Sequence, residues 1–145
     1  MMITTRSFAP LVLIFLLAVG PLAAQSSYQV VVNSANPESA IPKADVAKLF
    51  LKKTTTWSNG LKVAAVDQTS SRSVREAFTE GVHGKSVAAI KAYWQKMIFS
   101  GRATPPPELA NDTDVMTYVR NNSGGIGYVS ASATLGSGLK TLSVN

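Results

Sequence analysis

The chain has 145 residues, 46% hydrophobic and 15% charged, with 14 Lys+Arg against 8 Asp+Glu, one His and no Cys. That length fits one domain, since domains cluster at roughly 100–150 residues, and an apolar share near the globular average excludes wholesale disorder. Without Cys there is no disulfide framework, thiol nucleophile or Cys-ligated zinc or iron–sulfur site, and a single His excludes two-His metal arrangements.

The N-terminus reads as a targeting segment. Arg6 is the only charge before Glu38, and Phe8 to Ala24 is almost continuously apolar. Pro10 and Gly20-Pro21 interrupt it, leaving Leu11 to Val19 as an unbroken core before Leu22-Ala23-Ala24 and the polar Gln25-Ser26-Ser27. A basic start, short apolar core and small-residue exit describe a secretory signal peptide. A membrane anchor is the competing reading, but a spanning helix needs about 20 apolar residues and a flanking basic cluster. The expected organisation is a signal peptide over residues 1–24 and one periplasmic domain over residues 25–145, with no stable membrane insertion after cleavage at Ala24. With no Cys, a lipoprotein anchor is excluded.

Loss of Arg6 would lower the formal net charge of +6 by one. The basic residues are scattered singly, apart from Lys52-Lys53 and the Arg72/Arg75 pair. Nucleic-acid binders carry a denser Lys/Arg stripe with interleaved aromatics, so nucleic acid is not an expected partner. A mild positive field suits anionic small molecules, cell-wall polymers and membrane surfaces equally.

In chain order, Tyr28 to Asn33 (YQVVVN) is β-branched and bounded by polar residues, which predicts a buried strand. Asn36-Pro37 and Pro42 punctuate the loop after it. KADVAKLFL then places Val46, Leu49 and Phe50 at helical spacing. Thr54-Thr55-Thr56 and Ser58-Asn59-Gly60 form a loop carrying Trp57, and Leu61 to Val66 (LKVAAV) predicts a second strand. Ser71 or Ser73 can cap the next helix, which carries Val74, Ala77, Phe78 and Val82 on one face and ends at His83-Gly84. Ser86 caps a longer helix with Val87, Ile90, Tyr93, Trp94, Met97 and Ile98 on its inner stripe; Gly101 stops it, and Thr104 to Pro107 is an extended connector. Asn111 or Asp112 starts a helix through Val115, Met116, Tyr118 and Val119. Ile126 to Val129 and Leu139 to Val144 are the last predicted strands. Four strands interspersed with four helices predict an α/β domain in which Phe50, Trp57, Phe78, Trp94 and Tyr128 supply apolar packing.

Little in the chain is placed for catalysis. Nothing marks two of the eight acids as a general acid–base pair. Asp67 directly follows a predicted strand, a position that serves either ligand binding or a cap or turn. His83 stands before Gly84 at a helix end, where a positive side chain can face the carbonyl terminus; no Ser or Asp partner is placed by sequence to make it a base. The segment from Asp67 to Phe78 runs from a strand end through a hydroxyl-rich loop into a helix start. Free backbone N–H groups, Ser hydroxyls and an Arg there make either an oxyanion site or an ordinary capped helix start.

Three stretches resemble one family. Phe50-Leu51-Lys52-Lys53-Thr54-Thr55-Thr56-Trp57-Ser58-Asn59-Gly60 is similar to the I-F-L-G-K-x-x-x-W-x-(D/N)-G stretch of the phosphate-binding proteins of ABC transporters. Arg75-Glu76-Ala77-Phe78 matches the R-(E/D)-x-F that follows their phosphate loop, and Gly125-Ile126-Gly127-Tyr128-Val129 matches G-(A/S)-I-G-Y-V. All three occur in the family's order and together cover most of residues 25–145. The resemblance implies a type II periplasmic-binding-protein fold, a central mixed sheet flanked by helices, and export to the periplasm.

Two departures shape the expected function. The family's members have two lobes that close on the ligand, whereas residues 25–145 suffice for a single lobe. The family's loop carries G-S-G-T where this chain has Ser71-Arg72-Ser73-Val74, which removes glycines that let a backbone approach an anion. The first expected function is a solute-binding-like module for phosphate or another small oxyanion, with Ser70, Ser71, Arg72, Ser73 and Arg75 as contacts. The alternative is a non-transport adaptor or sensor that meets an envelope protein partner and keeps only a vestige of the pocket. No enzyme activity, cofactor or metal is expected.

Overall fold

The computed structural model describes residues 26–145. The signal peptide expected over residues 1–24 lies outside them.

Strand β1 (Tyr28–Asn33) lies inside the sheet, with Val30 and Val32 buried on one face and Val31 on the other. It pairs antiparallel with β6 (Gly125–Ser130), in a register setting Val30 opposite Tyr128 and Val32 opposite Ile126. Its other edge carries β7 (Leu139–Thr141), also antiparallel, and β3 (Ala64–Ala65) joins the far side of β6 in parallel. The sheet order is therefore β3-β6-β1-β7, a mixed sheet with the three expected segments in one layer. Two short parallel pairs lie beside it: β2 (Ala40–Ile41) with β8 (Ser143–Val144), and β4 (Asp67–Gln68) with β5 (Glu108–Leu109).

Because side chains alternate across a strand, β1 and β6 feed two cores. Val30, Val32, Ile126 and Tyr128 join Val46, Leu49 and Phe50 of α1 (Lys43–Phe50) and Val74 and Phe78 of α2 (Ser73–Phe78). On the opposite face Val31, Val66 and Val129 meet Val115 and Val119 of α4 (Asp112–Asn121). Helix α4 lies close on β6 at Gly127, where a Cβ would stand 2.6 Å from Val115 Cγ1. Phe50, Trp57, Phe78, Trp94 and Tyr128 are all buried, as expected. Phe78 stacks on Tyr128 with ring centroids 3.8 Å apart.

Several expectations are corrected. The predicted strand Leu61 to Val66 enters the sheet only at Ala64–Ala65, because its first half pairs back on the preceding loop: Trp57 N donates to Leu61 O (2.8 Å) and Val63 N to Thr55 O (2.9 Å). Gly124 fixes this corner. Its carbonyl accepts from Ala64 N and from the Trp57 indole, both at 2.9 Å, and a Cβ there would stand 1.8 Å from Lys62 O. The predicted strand Leu139 to Val144 divides at buried Leu142, pairing first with β1 and then with β2.

Helix α2 is capped by neither Ser71 nor Ser73. Arg72 occupies the N-cap position without a side-chain cap bond, and the helix widens into a π turn over Thr79–His83. Helix α3 (Val87–Phe99) does begin at Ser86, whose Oγ accepts from Ala89 N at 3.1 Å, and it buries Ile90 and Trp94. Ile98, expected on the inner stripe, is 53% exposed and Phe99 is 93% exposed. The final turn of α3 runs past the edge of the core.

Candidate functional site

The chemistry gathers where β4 leaves the end of β3. Strand β4 pairs with β5, so Asp67 is a ladder residue and neither a cap nor an open turn. Burial of its carboxylate requires partners, and the sheet and α2 supply them. Tyr128 OH donates to Asp67 Oδ1, and Arg75 Nη1 lies 3.1 Å from the same oxygen; the Arg75 and Asp67 side chains are 3% and 9% exposed. Arg75 Nη1 also donates to Gln68 O (2.7 Å) and to Glu108 Oε1 (3.4 Å). Tyr128 OH accepts from Gln68 N at 3.0 Å. Gln68 Nε2 donates to Tyr128 O (3.0 Å) and Asp112 Oδ1 (2.8 Å), and Asp112 Oδ2 accepts from Ser130 N (3.2 Å).

The electrostatics follow from that enclosure. Burial pushes the Asp67 carboxyl up to about 6 against the opposing pull of Arg75 and Tyr128, so it is ionised at neutral pH. Burial and the Asp67 charge raise the Tyr128 phenol well above its ordinary value, which keeps it a donor. Burial works against ionisation of Asp112, but hydrogen bonds from Gln68 and Ser130 and the charge of Arg72 outweigh it and hold the carboxyl below its ordinary range. Burial, reinforced by Arg75 and Lys85, lowers His83 to about 4. It is therefore neutral at pH 7, and the expected positive side chain facing a helix terminus is corrected.

The candidate ligand residues divide around this cluster. Arg75 points inward and is committed to Asp67. Ser70, half-buried, accepts from Lys91 Nζ at 3.0 Å. Ser71, Arg72 and Ser73 are exposed. Arg75 N and Glu76 N both donate to Arg72 O, which leaves the Ser73 and Val74 amides as the first of α2 without a helical acceptor. An open hollow of about 150 Å³ adjoins the cluster, lined by Asp67, Arg75, Lys91, Trp94, Pro105 and Glu108 among others. Sequence reasoning missed Lys91, Gln68, Asp112 and Glu108. Only the strand-end placement of Asp67 and the Tyr128 motif signalled the cluster. Among the described residues, no group of three or more His, Asp or Glu could hold a metal ion.

No protein family and no curated protein matches this chain. Solved structures do. An ABC-type phosphate transport receptor from Vibrio cholerae aligns at TM-score 0.63 and 16% identity, over 81% of this chain and 46% of that one. PstS from Borrelia burgdorferi aligns at TM-score 0.63 and 15% identity, over 82% and 47%. A substrate-binding protein of phosphate ABC-transporter type from Clostridium perfringens, solved with bound phosphate, aligns at 0.62 and 16%, over 81% and 44%.

The chain shares the fold of part of each of these structures. The chain spans less than half the length of each of these phosphate-receptor structures. At such low identity the likeness establishes the shared architecture: a mixed sheet with helices on both faces. No helix among the described residues is long and apolar enough to cross a membrane.

Proposed function

We propose that this chain is an exported, periplasmic solute-binding-like module that takes a small oxyanion, phosphate or a congener, at the loop between Asp67 and Arg75. The reading is carried by one observation: Ser71, Arg72 and Ser73 stand exposed on a loop whose base is fixed by the buried Asp67–Arg75–Tyr128 cluster. Rigid support matters because a loop that must be ordered on binding gives up affinity to entropy. The Arg72 guanidinium forms no ion pair among the described residues, and Lys91, bonded to Ser70, adds a second positive charge beside the hydroxyls. Phosphate bound in the Clostridium perfringens structure supports the ligand class.

Arg75 acts here as a support and not as a contact, because withdrawing it from Asp67 would leave a buried carboxylate unpaired. A single open lobe leaves the anion hydrated and screened, so dissociation constants fall nearer the millimolar than the micromolar range, around −4 kcal/mol. Calorimetry with phosphate and sulfate at low salt tests this. Wild type should give saturable heat that Arg72→Ala abolishes, and 10 mM anion should raise stability by about 1.4 kcal/mol for a dissociation constant of about 1 mM. Absence of both heat and thermal shift, with no change in the variant, refutes it.

One observation favours the second reading, an adaptor or sensor module with an envelope protein partner. Ile98 and Phe99 are large apolar side chains left outside the core, as residues that meet a partner often are.

A further inference from the structure

Helix α3 is held to the domain along one side only. Ile90 and Trp94 are buried and Val87, Tyr93 and Met97 are half-buried, whereas Ala88, Ala92, Gln95 and Phe99 follow one another up the outward face, all exposed. That stripe carries no charge. Lys91 and Ile98 flank it on one side and Lys96 on the other, all exposed. From Gly84 to Arg102 the chain has four basic residues, Lys85, Lys91, Lys96 and Arg102, and no carboxylate. An ordinary solvated helix face mixes both signs of charge, and this one does not.

We infer that the outward face of α3 docks the protein on an anionic phospholipid surface, with Ile98 and Phe99 entering the headgroup region and Lys96 and Arg102 pairing with lipid phosphates. Charge selects this occupant. A second copy meeting α3 face to face would oppose Lys96 to like charges with no acid to balance them. An anionic bilayer supplies the missing negative charge continuously, and lysines beside an apolar stripe reach its phosphates while their stems lie on hydrocarbon. Shape agrees. At 93% exposure Phe99 projects from the helix end and is free to enter a headgroup layer. Ile98 also lines the hollow beside Asp67 and Arg75, whereas Lys96, Phe99 and Arg102 stand outside its lining.

The test is sedimentation of the chain, recovered from the envelope of an expressing Gram-negative host, with vesicles of equal phosphatidylglycerol and phosphatidylethanolamine or of phosphatidylcholine alone. Binding is expected to the first and at least tenfold weaker to the second, and to fall steeply with added salt. Ile98→Ser with Phe99→Ser, and separately Lys96→Gln with Arg102→Gln, should each weaken binding about tenfold. All four side chains are exposed, so melting temperatures should stay near wild type. Equal binding to both vesicles, or binding unchanged in either double variant, overturns the inference. So does failure to bind vesicles, whether gel filtration then shows a Phe99-dependent dimer, an acidic protein co-purifies through Phe99, or neither is found.

Discussion

Asp67 and Arg75 bury opposite charges within 3.1 Å of each other, and neither has water to fall back on. Replacing Arg75 by Met removes the cation but not the burial of the Asp67 carboxylate, which already ionises against its burial. Breaking such a pair costs about 3–5 kcal/mol, so Arg75→Met should lower unfolding free energy in urea at pH 7.5 by about 3 kcal/mol. Replacing both partners by apolar residues, Asp67→Leu with Arg75→Met, should recover much of that loss; a double variant as unstable as the single one would contradict the assignment. His83 gives a separate pH signature. Its folded value near 4 lies below the ordinary 6.5, so the unfolded chain binds the proton first and stability falls as pH drops from 6.5 towards 4. Asp67, raised from 3.8 to about 6, has the opposite slope: the folded state takes up the proton first, and stability rises as pH falls from 6 towards 4. The two oppose each other across that window. His83→Gln removes only the first, so its stability relative to wild type should increase steadily from pH 6.5 to pH 4 in urea titrations. A difference independent of pH would show that His83 is not held neutral by burial.

At the level of elements, capping separates the helices by what their ends do. Asn111 Oδ1 accepts from Asp114 N at 2.9 Å, and the loss of such a cap costs about 1 kcal/mol, so Asn111→Ala should shift the urea midpoint by that amount and leave the slope unchanged. Helix α2 carries Arg72 at the same position and gains no side-chain bond from it. The Ser-rich run around Arg72 predicts a cap, yet the chain turns one residue away from either candidate, because Arg75 must reach Asp67 and so fixes the helix phase. Strand boundaries behave alike. LKVAAV has the composition of a full strand, but the carbonyls of Thr55 and Gly124 compete for its amides and divide it between a loop and the sheet. Composition reports what a segment can do, and the partner on each side decides how much of it does so.

Across the whole molecule, the C-terminal strand ties the sheet to the first helix. Leu142 N donates to Val30 O, and Lys43 N donates to Asn145 O at the head of α1. Leu142, 2% exposed, packs into the core beneath that crossing, so Leu142→Ala should lower stability by about 2–5 kcal/mol in urea or thermal unfolding. A change below 1 kcal/mol would mean that the β7–β8 segment is not integral to the core.

The sequence by itself determined the α/β class, the central YQVVVN strand, the aromatic core residues, the cap of α3 and, to within one residue, the start of α4. Each follows from local periodicity or from a side chain reaching its own backbone a few residues away. The motif at Gly125 to Val129 and the Arg75-Glu76-Ala77-Phe78 run also carried the family likeness, and the matched folds agree with it. Only the tertiary structure decided that Arg75 serves Asp67, that Gln68 bridges Tyr128 and Asp112, and that Ile98 and Phe99 lie outside the core. Those outcomes depend on residues up to 60 positions apart meeting in space, or on where the core ends beneath a helix. Local spacing encodes neither.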